Sequence, residues 1–156
     1  MMKILLPCDG SELALDAVHY ALQLVGQGLQ AEFVLANVQE PATLYEIVVA
    51  HDADTLGDIS RAAGDHALQD AAALLDAAGA RYECEIASGD PAHTLLAIAE
   101  RFGCEAIVIG ARGVGGLRQA LLGSVANTVL HDAGIPVTLV RHAAPVDAPS
   151  GIDADD

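Results

Sequence analysis

Tryptophan is absent, and two phenylalanines and three tyrosines hold the aromatic share of this 156-residue sequence to 3%. A core must therefore come from Ala, Leu, Val and Ile, within a composition that is 53% hydrophobic. That balance suits buried parallel strands covered by Ala-rich helices and argues against an aromatic-rich sandwich or barrel. Lysine occurs once, at Lys3, and no GxxxxGK[ST] is present, so a P-loop cannot be assembled. CDGSEL, after the first apolar run, has one glycine, which removes the GxGxxG of a dinucleotide-binding domain. No apolar run approaches the roughly 18 residues of a membrane span. The opening MMKILLPCDGS is too short in apolar residues for a signal peptide, so the expected location is cytoplasmic, with no membrane association. Cys8, Cys84 and Cys104 form no CxxC and no metal spacing, and each sits in or beside an apolar segment. Buried reduced thiols are expected at all three. The six histidines show neither HxxxH nor HExxH, so helix-surface or C-terminal-turn positions are expected for them and no metal site is indicated.

Positive charge is also scarce: seven basic residues face 22 acids, for a formal charge of −15. Such a surface repels nucleic acid and anionic lipid, which excludes both as partners. Two of the seven cations, Arg112 and Arg118, lie inside one glycine-rich stretch, GARGVGGLRQALLGSV, residues 110–125. An anionic ligand would be most welcome there.

The apolar periodicity predicts a strand at 3–8, then a helix capped by Ser11 with Ala14, Ala17, Val18, Ala21, Leu22 and Val25 inward. A second strand is expected at 32–38 and an aperiodic loop at 39–54. A helix over about 55–78 follows, with Ile59, Ala63, Ala67, Ala71, Leu74 and Ala78 on one face and Gly79 as its cap. Strand three is placed at 82–87. Asp90-Pro91 opens a helix that turns Leu95, Leu96, Ala99 and Phe102 inward and closes at Gly103. Strands at 106–109 and 137–140 bracket the glycine stretch and a helix from Ser124 to about His131. The Ala-, Pro- and Asp-rich residues 144–156 have nothing to bury and read as a disordered acidic tail behind a single domain, 1–143. Alternating strands and helices imply an α/β fold: an open five-stranded parallel sheet with helices on both faces. In such sheets ligands bind beyond the carboxyl ends of the strands, where the strand order reverses. If the spatial order is 3-2-1-4-5, Pro7-Cys8-Asp9-Gly10 and Gly110-Ala111-Arg112-Gly113 meet at that point.

Phosphate oxygens need converging N–H donors, and glycines let backbone amides approach without obstruction. A helix N-terminus at Gly123-Ser124-Val125 would add unpaired amides, a favourable dipole and a hydroxyl. Asp9, a carboxylate, suits the nucleoside end, accepting from a ribose hydroxyl or an amine; equally, it starts a turn and caps the first helix with Ser11. The glycines are read either as a phosphate cradle or as a generic loop.

Gly110-x2-Gly113-x9-Gly123-Ser124 resembles, spacing included, the nucleotide-binding signature of the universal stress protein family. ILLPCDGSELA resembles the family's opening strand and turn, SGDPAHTLLAIAERFGCEAIVIGARG its third helix and fourth strand, and GIPVTLVRH its last strand. The resemblance covers about residues 2–142. It implies the order 3-2-1-4-5, ATP as ligand, with Mg²⁺, and a homodimer formed through the last strand, 136–141. Pro7, Cys8 and Asp9 would then lie at the nucleoside and Val38 at the adenine. Gly110, Arg112 and Gly113 would wrap the phosphates, and Gly123, Ser124 and Val125 would close over them. Cys8 and Ala111 depart from the common residues at their positions. The function implied is a regulatory or sensor dimer whose nucleotide state modulates protein partners. Slow ATP hydrolysis is one alternative, although only Gln119 within 110–125 could orient a water. A nucleotide-free interaction scaffold is the other.

Overall fold

The computed structural model describes residues 1–40, 53–111 and 123–142. Among the described residues nine elements follow one another: β1 (Met2–Pro7), α1 (Glu12–Gly26), β2 (Ala31–Gln39), α2 (Ala53–Ala77), β3 (Tyr82–Ser88), α3 (Pro91–Phe102), β4 (Ala106–Ala111), α4 (Ser124–Asp132) and β5 (Val137–Arg141). The strands form one sheet in the order β3-β2-β1-β4-β5, and all four pairings are parallel. The chain winds outward from β1 to β3, then returns across β1 to β4, so the reversal lies between β1 and β4.

Period-2 alternation divides the core into two layers. Ile4, Leu6, Phe33 and Leu35 face α1 and α2, burying Ala14, Ala17, Val18, Leu68, Ala71 and Leu75. Leu5, Val34, Ala36, Ile107 and Ile109 face α3 and α4, against Leu95, Ile98 and Val129. Sheet and helices thus close around alanines and aliphatics, as the shortage of aromatics requires; among the described residues Phe33 is the largest fully buried side chain. Of the expected α1 face, Leu22 and Val25 are only partly buried. In α3, Leu95 and Ala99 are buried and Leu96 and Phe102 partly so, while Ala92 and Ile98 join them.

Two expectations need correction. The inward face of α2 is Gly64, Leu68, Ala71 and Leu75; Ala63 and Ala78 are exposed, and Ala67 and Leu74 are half-buried. Ile59 has its side chain outside the described residues. Alanine occurs all round this helix and does not mark a face, so the two leucines decide which side packs. Gly64 lets α2 lie against Ile86, whose Cγ2 would be 2.5 Å from an added Cβ. Cys84, expected to be buried, is exposed, because β3 is an edge strand with its outer side open. Cys8 and Cys104 are buried. The expected tail at 144–156 and most of the 39–54 loop lie outside the described residues.

The thiols make a direct prediction. Burial first, then the Asp9 charge, pushes the Cys8 thiol up to about 12, and burial raises Cys104 as well. Cys84 is also raised, by partial desolvation and then by Asp65 and Asp76, yet it stays accessible. A thiol near 12 is thiolate to only about one part in 10⁴ at pH 8, and the thiolate is the nucleophile. Alkylation of the folded protein should stop at one adduct, on Cys84, and unfolding should expose all three sites; intact-mass spectrometry counts them.

Candidate functional site

The β1–β2 ladder runs to Pro7↔Ala36 and is extended by Cys8 N–H donating to the Ala36 carbonyl at 2.8 Å. The β1–β4 ladder stops at Leu5↔Ile107. Beyond Leu5 the two central strands part, and a cavity of about 320 Å³ opens between their carboxyl ends. This is the crevice that an open parallel sheet provides where its strand order reverses.

Eight of the residues expected at a ligand line it. Pro7, Cys8 and Asp9 come from the end of β1, Val38 from β2, Gly110 from β4, and Gly123, Ser124 and Val125 from the start of α4. Arg112 and Gly113 lie outside the described residues. Asn37, Glu40, Pro91 and Leu95 also line the cavity without having been expected there: Pro91 and Leu95 read as a helix start and its inward face, and Asn37 sits in the middle of an otherwise apolar run.

The first turn after β1 is built by Asp9. Its Oδ1 accepts from the Ser11 N–H at 2.9 Å and from the Ser11 hydroxyl at 2.6 Å. Ser11 in turn caps α1, accepting from the Ala14 N–H at 3.4 Å. Asp9 therefore has the turn-forming role while its exposed carboxylate stands at the cavity wall, so its two sequence readings are compatible. Gly110 has a packing duty. A Cβ there would lie 2.3 Å from the Leu13 carbonyl oxygen, so β4 can approach the first turn of α1 only through a glycine.

The helix starts facing this region differ. Ser11 caps α1, and Asp90 caps α3 by accepting from the His93 N–H at 3.0 Å. Gly123, at the start of α4, makes no side-chain cap bond. The leading amides of α4 thus lack that internal partner, and the dipole of the helix favours an anion beside Ser124. Among the described lining residues the charged groups are Asp9 and Glu40, both acidic. The described walls offer an anion backbone amides and the Ser124 hydroxyl at the α4 end, with no cationic side chain, and favour donors at the β1–β2 end. Among the described residues no group of three or more His, Cys, Asp or Glu is arranged to hold a metal ion, and no helix is long and apolar enough to cross a membrane.

This architecture recurs in known proteins. The universal stress protein YxiE of Bacillus subtilis is 31% identical over 146 residues, covering 89% of this chain and 98% of that one. The solved structure of hypothetical protein MJ0577 superposes with a TM-score of 0.75 at 26% identity, covering 92% of this chain and 98% of that one. A universal stress protein solved in complex with cAMP matches with a TM-score of 0.56 at 27% identity, covering 89% and 95% of the two chains. The model of the universal stress protein family matches residues 1–141, the whole sheet from β1 to β5. Matched by the family model over residues 1–141 and 31% identical to YxiE, the chain belongs to the universal stress protein family.

Proposed function

We propose that the cavity binds an adenine nucleotide, ATP with Mg²⁺ in the working state, and that the protein is a regulator and not an efficient enzyme. The observation that carries this reading is the N-terminus of α4, whose cap residue Gly123 makes no side-chain bond, opening on the crevice beside the Asp9 turn. A family relative crystallised with cAMP lends support, since that ligand is also an adenine nucleotide. The nucleoside sits at the β1–β2 side, where Val38 offers an apolar surface to the base and Asp9 accepts from a ribose hydroxyl. The phosphates lie toward Gly123, Ser124 and Val125, with Arg112 and Gly113 completing the cradle. Mg²⁺ would arrive on the phosphate oxygens, as it does where a protein supplies few ligands of its own.

The regulatory part of the proposal uses the sheet edge. β5 is an outermost strand among the described residues, and its outer side presents backbone groups that a second copy could pair. A dimer joined at 136–141 would lie one strand from β4 and the cavity. The nucleotide state would then bear on the dimer surface and on protein partners in the cytoplasm.

The test is direct. Protein purified without added nucleotide is denatured, and the released small molecules are identified by chromatography and mass spectrometry. Near-stoichiometric adenine nucleotide is expected. An empty protein that also fails to take up added Mg-ATP would overturn the reading.

A further inference from the structure

Asn37 is the buried polar side chain of the described core, only 3% exposed. Its Nδ2 donates to the Cys8 carbonyl at 2.8 Å, and its Oδ1 accepts from Gln39 Nε2 at 2.5 Å. Burying an amide is unfavourable unless both its ends are bonded, and here both are. The location of the bond gives it meaning. Cys8 is the last residue before the Asp9 turn, and past Leu5 that segment has lost its ladder to β4. Strand pairing on the cavity side therefore ends there, and the β2 side holds the Cys8 backbone through the Cys8 N–H bond to Ala36 and the Asn37 bond to the Cys8 carbonyl. Gln39 fixes which way the Asn37 amide points.

We infer that Asn37 is a positioning residue: by clamping the Cys8 carbonyl it holds the Asp9–Ser11 turn at the wall of the cavity, and through that turn it sets nucleotide affinity. The second half rests on the nucleotide reading above; the first half does not. Asn37 itself is not required to touch the ligand. An apolar side chain of similar volume would keep the packing but leave the Cys8 carbonyl without its donor. The β1 end could then drift toward the open crevice, carrying Asp9 with it.

The test uses Asn37→Leu and Asn37→Asp in the full chain. The readout of the turn is the Ser11 amide, whose proton goes to Asp9 Oδ1. In Asn37→Leu without nucleotide, Ser11 amide exchange should accelerate by at least about tenfold while Ile107 and Val108 in β4 keep their protection. The dissociation constant for Mg-ATP should rise by about tenfold or more. Asn37→Asp has the shape of the native residue. Deprotonated, it should behave like the leucine variant. As pH falls and the buried carboxyl protonates, its O–H regains a donor for the Cys8 carbonyl, and both Ser11 protection and affinity should recover. If Asn37→Leu does not fold, the pH profile of Asn37→Asp decides alone. Native Ser11 exchange in Asn37→Leu, or a flat pH profile in Asn37→Asp, would overturn the positioning role. Wild-type protein that binds no adenine nucleotide would overturn the functional reading, and the Ser11 exchange would still decide whether Asn37 holds the turn.

Discussion

Gly110→Ala should lower the melting temperature of the nucleotide-free protein by about 6–12 °C, and Gly110→Val by at least as much. The cause is the 2.3 Å separation between an added Cβ and the Leu13 carbonyl oxygen, with the Leu13 carbonyl carbon at 2.9 Å. Both obstacles are backbone, so no rotamer change relieves them; α1 must move off β4 or β4 must bend. Overpacking of a core commonly costs about 1–3 kcal/mol, and a rigid backbone partner places this case near the upper end. About 3 kcal/mol is a large share of the 5–15 kcal/mol that holds a typical domain together. In a domain of this size each kcal/mol moves the midpoint by about 2–4 °C, which gives the range stated. The first methyl carries most of the effect. If Gly110 served only to admit a ligand, both variants would melt like wild type without nucleotide, and calorimetry distinguishes the two outcomes. A loss of binding in any Gly110 variant must therefore be read beside its stability.

Ser124→Asp should do the reverse, sparing the fold and destroying binding. Ser124 is the first residue of α4, which has no acidic residue in its first turn and no side-chain cap. A carboxylate there meets the positive end of the helix dipole and should stabilise the protein by about 0.3–1 kcal/mol. The same carboxylate would stand where the proposal puts the phosphates. Two like charges about 4 Å apart repel by about 4 kcal/mol at an effective dielectric of about 20, and by correspondingly less at greater distance. Affinity for Mg-ATP should fall by at least about a hundredfold at low salt, and the loss should shrink as salt screens the charges. Ser124→Ala, which removes one hydrogen bond, should weaken binding by about tenfold at most. Titration calorimetry paired with thermal melting checks both halves. Unchanged affinity in Ser124→Asp would place the phosphates elsewhere.

Much of this molecule is legible in its sequence for a physical reason: the information is local. The unbroken apolar runs Ile4-Leu5-Leu6 and Phe33-Val34-Leu35 mark strands buried on both sides, and Asp90-Pro91 marks a helix start without knowledge of any neighbour. Gly110 and Gly123-Ser124, which the family resemblance assigned to one site, line one cavity. What escaped depends on contacts between distant segments. The exposure of Cys84 follows from β3 being an edge, which no single strand records. The inward face of α2 is settled by two leucines among many alanines, once β2 and β3 are in place. Asn37 looks like an interruption of an apolar strand until the Cys8 carbonyl arrives beside it. Gly110 reads as a phosphate-loop glycine until Leu13 is found against it.

The central claim is that an adenine nucleotide occupies the crevice between β1 and β4 with its phosphates at the start of α4. A residue-resolved NMR titration of the nucleotide-free protein with Mg-ATP tests it most directly. The account predicts saturable shifts of the amides of Asp9, Val38, Gly110, Ser124 and Val125, with Glu83, Cys84 and Glu85 on the far edge of the sheet unmoved. Saturating shifts confined to other surfaces, or none in those five amides, would contradict it.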